Sequence, residues 1–322
     1  MKKPDILYKY TTAETAFKIL NNSSLRWSSP IKFNDILEFK NTPKFEPSIY
    51  KAYNLYIEYI INFVIDNKDI ENYDFNKETK ILIKCLFLLK KEILLQIRIS
   101  KHTKLKDTVT KGIIDNLDKN ISEEESDMLK KILIESIPQE SPLTEESILK
   151  QIKDYYKKWD INKARVLCLT DSPENEVMWG TYCDNHYGCV LGFKSNIKDS
   201  CFNEVKKIKY TNNHIIGNGL ELLLYGDSAI ANKSNDIVYY TKNEKWSYED
   251  EWRLLTFRFE EKENFGDYKF YSEELESITF GIRTTIEDRN KIISVLNKKY
   301  NKFKIFEIKE ENGKFQRTLV NH

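Results

Sequence analysis

Glycine is scarce, 10 in 322 residues, and none of it falls in a Walker-type glycine–lysine loop or a GxGxxG run. The two commonest glycine-built cradles for nucleotide phosphates are therefore absent. Histidine is scarcer. Of four, His322 is terminal, which leaves His102, His186 and His214, a poor basis for a two-histidine nuclease or a His-rich metal centre. There is no GxSxG elbow and no HExxH, so the α/β-hydrolase and zincin signatures are missing. Charge of one sign is lacking too. Basic residues number 51 and acidic ones 50, a net charge of +1. That argues against strong steering to DNA or RNA, while a local basic patch stays compatible with it. The most apolar stretch, ILIKCLFLLKKEILL at 81–95, is interrupted by lysines and does not read as a transmembrane span. The N-terminus MKKPDILYKYTT has no long apolar run, so no secretory signal is expected. Five scattered cysteines fit reduced thiols and a cytoplasmic location. Cys183, His186 and Cys189 have a zinc-like spacing, but a structural site needs four ligands. The fourth would have to come from Cys168 or Cys201, and Cys168 and Cys189 fall in apolar strands, so no metal is expected.

What is present suffices for a core: 40% of the chain is hydrophobic and 13% aromatic. The ends read as short strands and helices. DILYKYTT (5–12) is a strand, with Tyr8 and Tyr10 on one side and Lys9 on the other. TAETAFKILNN (12–22) has helical spacing with Thr12 as N-cap, and SLRWSS (24–29) is a second strand. PIKFNDILEF (30–39) is a polar loop carrying Asn34, Asp35 and Glu38. From about 48 to 160 apolar residues recur every three or four positions in 50–66, 77–100, 123–137 and 144–159, which predicts a helical block. After 162 strands return at 164–170, 188–194, 204–210, 245–259, 277–282, 304–310 and 315–320. Helices are expected at 173–183, with Ser172 as N-cap and Pro173 at its first position, near 217–234, and at 285–300. The expected fold class is α+β, with a mainly antiparallel mixed sheet. Its core is built from 1–47 and 162–322, interrupted by an all-helical insertion over 48–161.

The densest charge is in WSYEDEWRLLTF (246–257). On a strand alternate side chains share a face, which sets Glu249, Glu251 and Arg253 on one side, two successive carboxylates about 7 Å apart, with Leu255 and Phe257 continuing inward. A solvated strand end with weak pairing is the plainer reading of these residues alone. In MWGTYCDNHYGCVLGF (178–193), Trp179 and Tyr182 are one helical turn apart and His186 lies just beyond. They suit an aromatic pocket for a flat ring, or simple packing of helix on sheet.

The order of these blocks is more specific than any one of them. L-Y-x-Y at 7–10, F-N-D at 33–35, M-W-x-x-Y at 178–182 and W-x-Y-E-x-E-x-R at 246–253 together resemble a large bacterial family of uncharacterised domains, over nearly the whole chain outside 48–160. Their order is also similar to that of the ADP-ribosyltransferase fold. That resemblance implies NAD as substrate, and a role in stress or phage defence. Lys9, beside Tyr10, would hold the ADP-ribose part. Thr170 with Trp179, Tyr182 and His186 would pack the nicotinamide, Asn34 and Asp35 would line the cleft, and Arg253 would pair with a carboxylate or diphosphate. Glu249 and Glu251 would bind the nicotinamide ribose, with Glu251 as the principal carboxylate. Lys9 departs from the expected His or Arg, keeping charge but losing the planar donor geometry, and Thr170 stands where Ser is commoner. The implied partners are a nucleotide substrate, a protein or nucleic-acid acceptor, and a second copy of the chain through the helical block, with no membrane. The alternative is a module of the same fold that binds a nucleotide, nucleic acid or protein without turnover.

Overall fold

The computed structural model describes residues 2–39, 44–88, 90–91 and 161–320. The helices expected at 123–137 and 144–159 lie outside the described residues. Strands are β1 Ile6–Thr11, β2 Ser24–Ser28, β3 Lys44–Phe45, β4 Ala164–Thr170, β5 Cys189–Lys194, β6 Lys206–Lys207, β7 Lys209–Tyr210, β8 Ile215–Gly217, β9 Thr241–Lys242, β10 Glu251–Phe257, β11 Phe265–Lys269, β12 Leu275–Phe280, β13 Lys304–Glu311 and β14 Lys314–Leu319. Helices are α1 Ala13–Asn22, α2 Ile49–Ile65, α3 Lys77–Leu88, α4 Glu176–Tyr182, α5 Gly219–Tyr225, α6 Asp227–Tyr240 and α7 Ile286–Lys299. The architecture is α+β. Among the described residues the chain separates into two compact units.

The first unit holds 2–39, 161–212 and 239–320. Its sheet runs β11-β2-β4-β1-β5-β12-β13-β14, with β10 paired along β4. All neighbours are antiparallel except β12 and β13. Alternation along β1 sorts its side chains. Leu7 joins Leu191, Phe193, Ile278 and the helices α1 and α7 in the main core. Tyr8 and Tyr10 face the other way, into a smaller cluster with Met178, Trp179, Val190 and Ile308. Thr12 caps α1, its hydroxyl accepting from the Thr15 amide. Two further strand expectations shift. The 204–210 segment divides into β6 and β7, which pair with β10 and β9 respectively. In β10 the core residues are Trp252 and Leu254, while Leu255 and Phe257 are half-buried.

The seam between β1 and β4 positions the site. The two strands are bridged at one pair alone, Tyr8 with Thr170, whereas β4 pairs with β10 over its whole length. From that bridge toward Cys168 the two strands share no further pair, and Lys9 Nζ donates to the Cys168 carbonyl at 3.0 Å. Near one end of this seam Gly188 lets the chain turn into β5 under the Thr11 carbonyl. A Cβ there would lie 2.2 Å from Thr11 O and 2.9 Å from Cys183 Cα. Gly188→Ala is expected to destabilise by about 1–3 kcal/mol through backbone displacement, read as a lower urea midpoint with an unchanged slope.

The second unit holds the described residues of 44–91 together with 213–238. Its core joins Tyr56, Ile60, Phe63 and Val64 of α2 to Ile81, Leu82 and Leu86 of α3, with Leu224 of α5. The sequence reading placed 213–238 with the sheet. The leucines of α5 explain its place here, since Leu220, Leu223 and Leu224 all pack on the α2–α3 cluster. Asn76 Nδ2 also donates to the Leu223 carbonyl at 2.9 Å. No helix among the described residues is long and apolar enough to cross a membrane.

Candidate functional site

The charged run at 244–253 is two elements, not one strand. Asn243 accepts from the Lys245 amide and starts a 3-10 helix over Glu244–Glu249, and Asp250 then turns left-handed at φ 42°. The strand begins only at Glu251. Glu251 and Arg253 share a face by strand alternation, as expected, whereas Glu249 reaches the same place from the preceding turn. All three are buried.

The partner that the carboxylates share is Lys242, at the end of β9. Its Nζ lies 2.6 Å from Glu249 Oε2, 3.2 Å from Glu251 Oε2 and 3.6 Å from Glu38 Oε2. Arg253 sits behind, donating Nε to Glu251 Oε1 at 2.8 Å, one terminal nitrogen to the Tyr239 carbonyl at 2.9 Å, and the other to Glu38. Glu249 Oε1 accepts from the Tyr182 hydroxyl at 2.7 Å. Glu38, Lys242, Glu249, Glu251 and Arg253 are each 7% exposed or less. The cluster thus sets three carboxylates against two cations out of water.

Burial opposes the charge on Glu251, but Arg253 and Lys242 overcome it and hold the carboxyl down to about 2. Burial pushes Glu38 the other way, above the usual carboxylate range, with the Glu251 charge adding to the effect and Arg253 and Lys242 opposing it. Burial would lower Lys242, yet Glu251, Glu38 and Glu249 raise it. Tyr182 is raised by burial and by its bond to Glu249. Glu251 is thus a fixed anion, and Lys242 and Arg253 are fixed cations.

Glu38, Tyr182, Lys242, Glu249 and Glu251 line a cavity of about 320 Å³ in the seam. Tyr8, Lys9 and Tyr10 come from β1, Cys168 and Leu169 from β4, Met178 and Tyr182 from α4, and Trp246, Glu249, Glu251 and Lys242 from the β9–β10 region. Lys32, Phe33, Asn34, Asp35 and Glu38 enter from the loop after β2. Tyr10 is fixed at its tip, donating to the Ser172 carbonyl at 3.0 Å and accepting from the Asn175 amide at 2.9 Å. Asp35 Oδ1 accepts from the Leu37 amide at 2.9 Å, an Asx turn that shapes the loop.

Of the residues singled out from sequence, Glu249, Glu251, Lys9, Tyr10, Asn34, Asp35 and Tyr182 line this cavity. Arg253 supports it from behind. Thr170, Trp179 and His186 do not line it. Thr170 is buried at the strand bridge, and its hydroxyl accepts from the Ser172 amide. Trp179 is fully buried, edge-on to Tyr10 at 5.5 Å, with its indole N–H on the Pro173 carbonyl at 2.9 Å. The reason lies in the helix. Asn175, not Ser172, is its N-cap, accepting from the Met178 amide, and α4 starts at Glu176. Met178 and Tyr182, four residues apart, then share the face toward the cavity, while Trp179 turns to the sheet. His186 stacks parallel to Trp179 at 6.4 Å. The aromatic wall is Phe33, Tyr182 and Trp246 instead. Among the described residues no three His, Cys, Asp or Glu side chains are placed to hold a metal. Cys183 donates to the Cys189 carbonyl, and burial pushes its thiol up to about 12.

Sequence reasoning missed Lys242 and left Glu38 unassigned. The only signal was arithmetic: three carboxylates converging on one arginine require a second cation.

Residues 178–254 match the model of a protein family of unknown function, DUF2971. That span covers α4 from Met178 onward, β5 and the run through Glu249, Glu251 and Arg253, and it supports the reading of an uncharacterised domain. No curated protein and no solved structure matches the chain.

Proposed function

We propose that the seam cavity binds NAD or a related nucleotide and cleaves its glycosidic bond to nicotinamide, in the manner of an ADP-ribosyltransferase or NAD hydrolase. One observation carries the reading: two buried carboxylates, Glu249 and Glu251, held by Lys242 and Arg253 in an aromatic-walled cavity beside the single β1–β4 bridge. In the reaction the C1′–N bond breaks and its electron pair leaves with neutral nicotinamide. C1′ gains oxocarbenium character until the oxygen of water, or of an acceptor, adds to it and loses a proton. Fixed negative charge stabilises that developing cation without reorganising. Glu251 and Glu249 supply the charge. Phe33, Tyr182 and Trp246 give a flat leaving ring its orientation. Lys9 and Asn34 offer donors for the remainder of the nucleotide.

A second reading, binding without turnover, is favoured by a specific feature. Both oxygens of Glu249 and of Glu251 already have partners, so a ribose hydroxyl must share them. Incubation of purified protein with NAD, scored for free nicotinamide, separates the two. Release by wild type and not by Glu251→Gln is the expected result. A rise in melting temperature with NAD but no nicotinamide establishes the binding module. No shift and no release removes both.

A further inference from the structure

A second polar constellation lies on the same sheet, reached through Tyr8. Arg317 of β14 extends over Phe306, with its guanidinium carbon 3.4 Å from the ring centroid, and toward Tyr8, at 5.4 Å. Its Nε donates to Thr279 Oγ1 at 2.9 Å and one terminal nitrogen to Ser277 Oγ at 3.0 Å. Space for it exists because Gly192 pairs with both Tyr8 and Ser277. A Cβ at Gly192 would stand 2.5 Å from Ser277 Oγ and 3.2 Å from the Tyr8 ring. The guanidinium is half-buried and held by neutral hydroxyls. Among the described residues no carboxylate lies in ion-pair range of it. Two acidic groups are near. Glu276 is ion-paired to Lys304 at 2.8 Å, and Glu174 Oε1 accepts from the Arg317 backbone amide. Burial accordingly pulls the Arg317 pKa below its usual value despite both.

The adjoining backbone is irregular. The β12–β5 register shifts between Leu275 and Ser277, so Glu276 is the bulged residue. Its Oε2 is buried without a hydrogen-bond partner. Bulges re-aim side chains and recur beside functional sites, and an unpaired buried carboxylate oxygen is costly unless a ligand completes it. A stacked guanidinium bonded to hydroxyls, with no carboxylate in ion-pair range among the described residues, together with an unfilled acceptor, is the complement of a phosphate beside a hydroxyl.

We propose that Arg317, with Ser277, Thr279 and Glu276, forms an anion subsite for a phosphate of the nucleotide whose glycosidic end occupies the cavity, with Tyr8 shared between them. The inference rests on the nucleotide reading of the cavity and adds which residues hold a phosphate of the ligand. Lys9 alone would not select for this. It is tied to the Cys168 carbonyl, and an ammonium lacks the two-pronged geometry of guanidinium.

The test titrates wild type, Arg317→Gln and Arg317→Lys with nicotinamide mononucleotide and nicotinamide riboside, by calorimetry. Wild type is expected to favour the mononucleotide by about tenfold or more, the scale of one charge-assisted contact. Arg317→Gln should lose that preference with the riboside unaffected, and Arg317→Lys should keep part of it, which covers a Gln variant that fails to fold. A preference that survives in Arg317→Gln, or is absent from wild type, overturns the subsite while leaving the cavity as a nucleoside site. Equal weakening of both ligands assigns Arg317 to sheet packing and overturns it too. Binding of neither ligand to wild type overturns this inference and the proposed function together. Phosphate-selective binding without nicotinamide release upholds the subsite and overturns turnover alone.

Discussion

Glu251→Gln is expected to lower nicotinamide release by about 100–1000-fold, the usual cost of removing one preorganised group that stabilises transition-state charge. The substitution preserves shape and deletes charge. Glu251 is held ionised by Arg253 and Lys242, so its service in the wild type is that of a permanent anion. A glutamine presents a dipole there, and its amide nitrogen faces Arg253 or Lys242. The same change leaves two buried cations sharing Glu38 and Glu249. A stability loss of about 3–5 kcal/mol is therefore expected alongside, and the assay belongs well below the variant's melting temperature, with circular dichroism confirming the fold. The signature is a lower kcat with little change in KM, because the stabilised charge develops only in the transition state. A variant that stays folded and releases nicotinamide at the wild-type rate would end the assignment.

Much of this site was legible in the sequence because it is written in local patterns. Strand alternation alone set Tyr8 and Tyr10 against Lys9 and placed Glu251 with Arg253. The N-cap at Thr12 and the apolar run at 164–170 needed no tertiary information. Failures arose where one side chain overrode its neighbours' pattern. Ser172 followed by Pro173 reads as a helix start, yet the Tyr10 hydroxyl pins Ser172 and Asn175 from another strand, and the helix waits for Asn175. Trp179 packs on Tyr10 and donates to the Pro173 carbonyl, and Met178 and Tyr182 line the cavity. The run 246–253 reads as one strand, yet Asp250 breaks it with a left-handed residue. Lys242 carries no local signal, since a lysine between a threonine and an asparagine looks like surface. Only the tertiary convergence of Glu38, Glu249 and Glu251 gives it a reason to be buried.

Replacing Lys242 by methionine keeps most of its apolar stem and removes the hub charge. At neutral pH the expected loss of stability is about 3–5 kcal/mol, the cost of stripping a partner from buried charge. Its pH dependence distinguishes electrostatics from packing. In the wild type two carboxyls act in opposite directions. Glu251 is depressed from 4.5 to about 2, so its contribution, about 3 kcal/mol by linkage, is present above 4.5 and disappears as pH falls through that interval. Glu38 is raised, so its proton favours the folded state. That contribution is complete below 4.5 and is lost as pH climbs through the raised value. The wild type should thus gain slightly on mild acidification before falling. In Lys242→Met, Glu251 loses one of the two cations that hold it down, and its protonation replaces part of what the lysine supplied. The variant's deficit should therefore shrink steadily from neutral pH toward 4.5. Urea midpoints measured across that range give the answer. A deficit that stays constant with pH would mean that Lys242 contributes packing alone, and that Glu251 is not held as an anion by it.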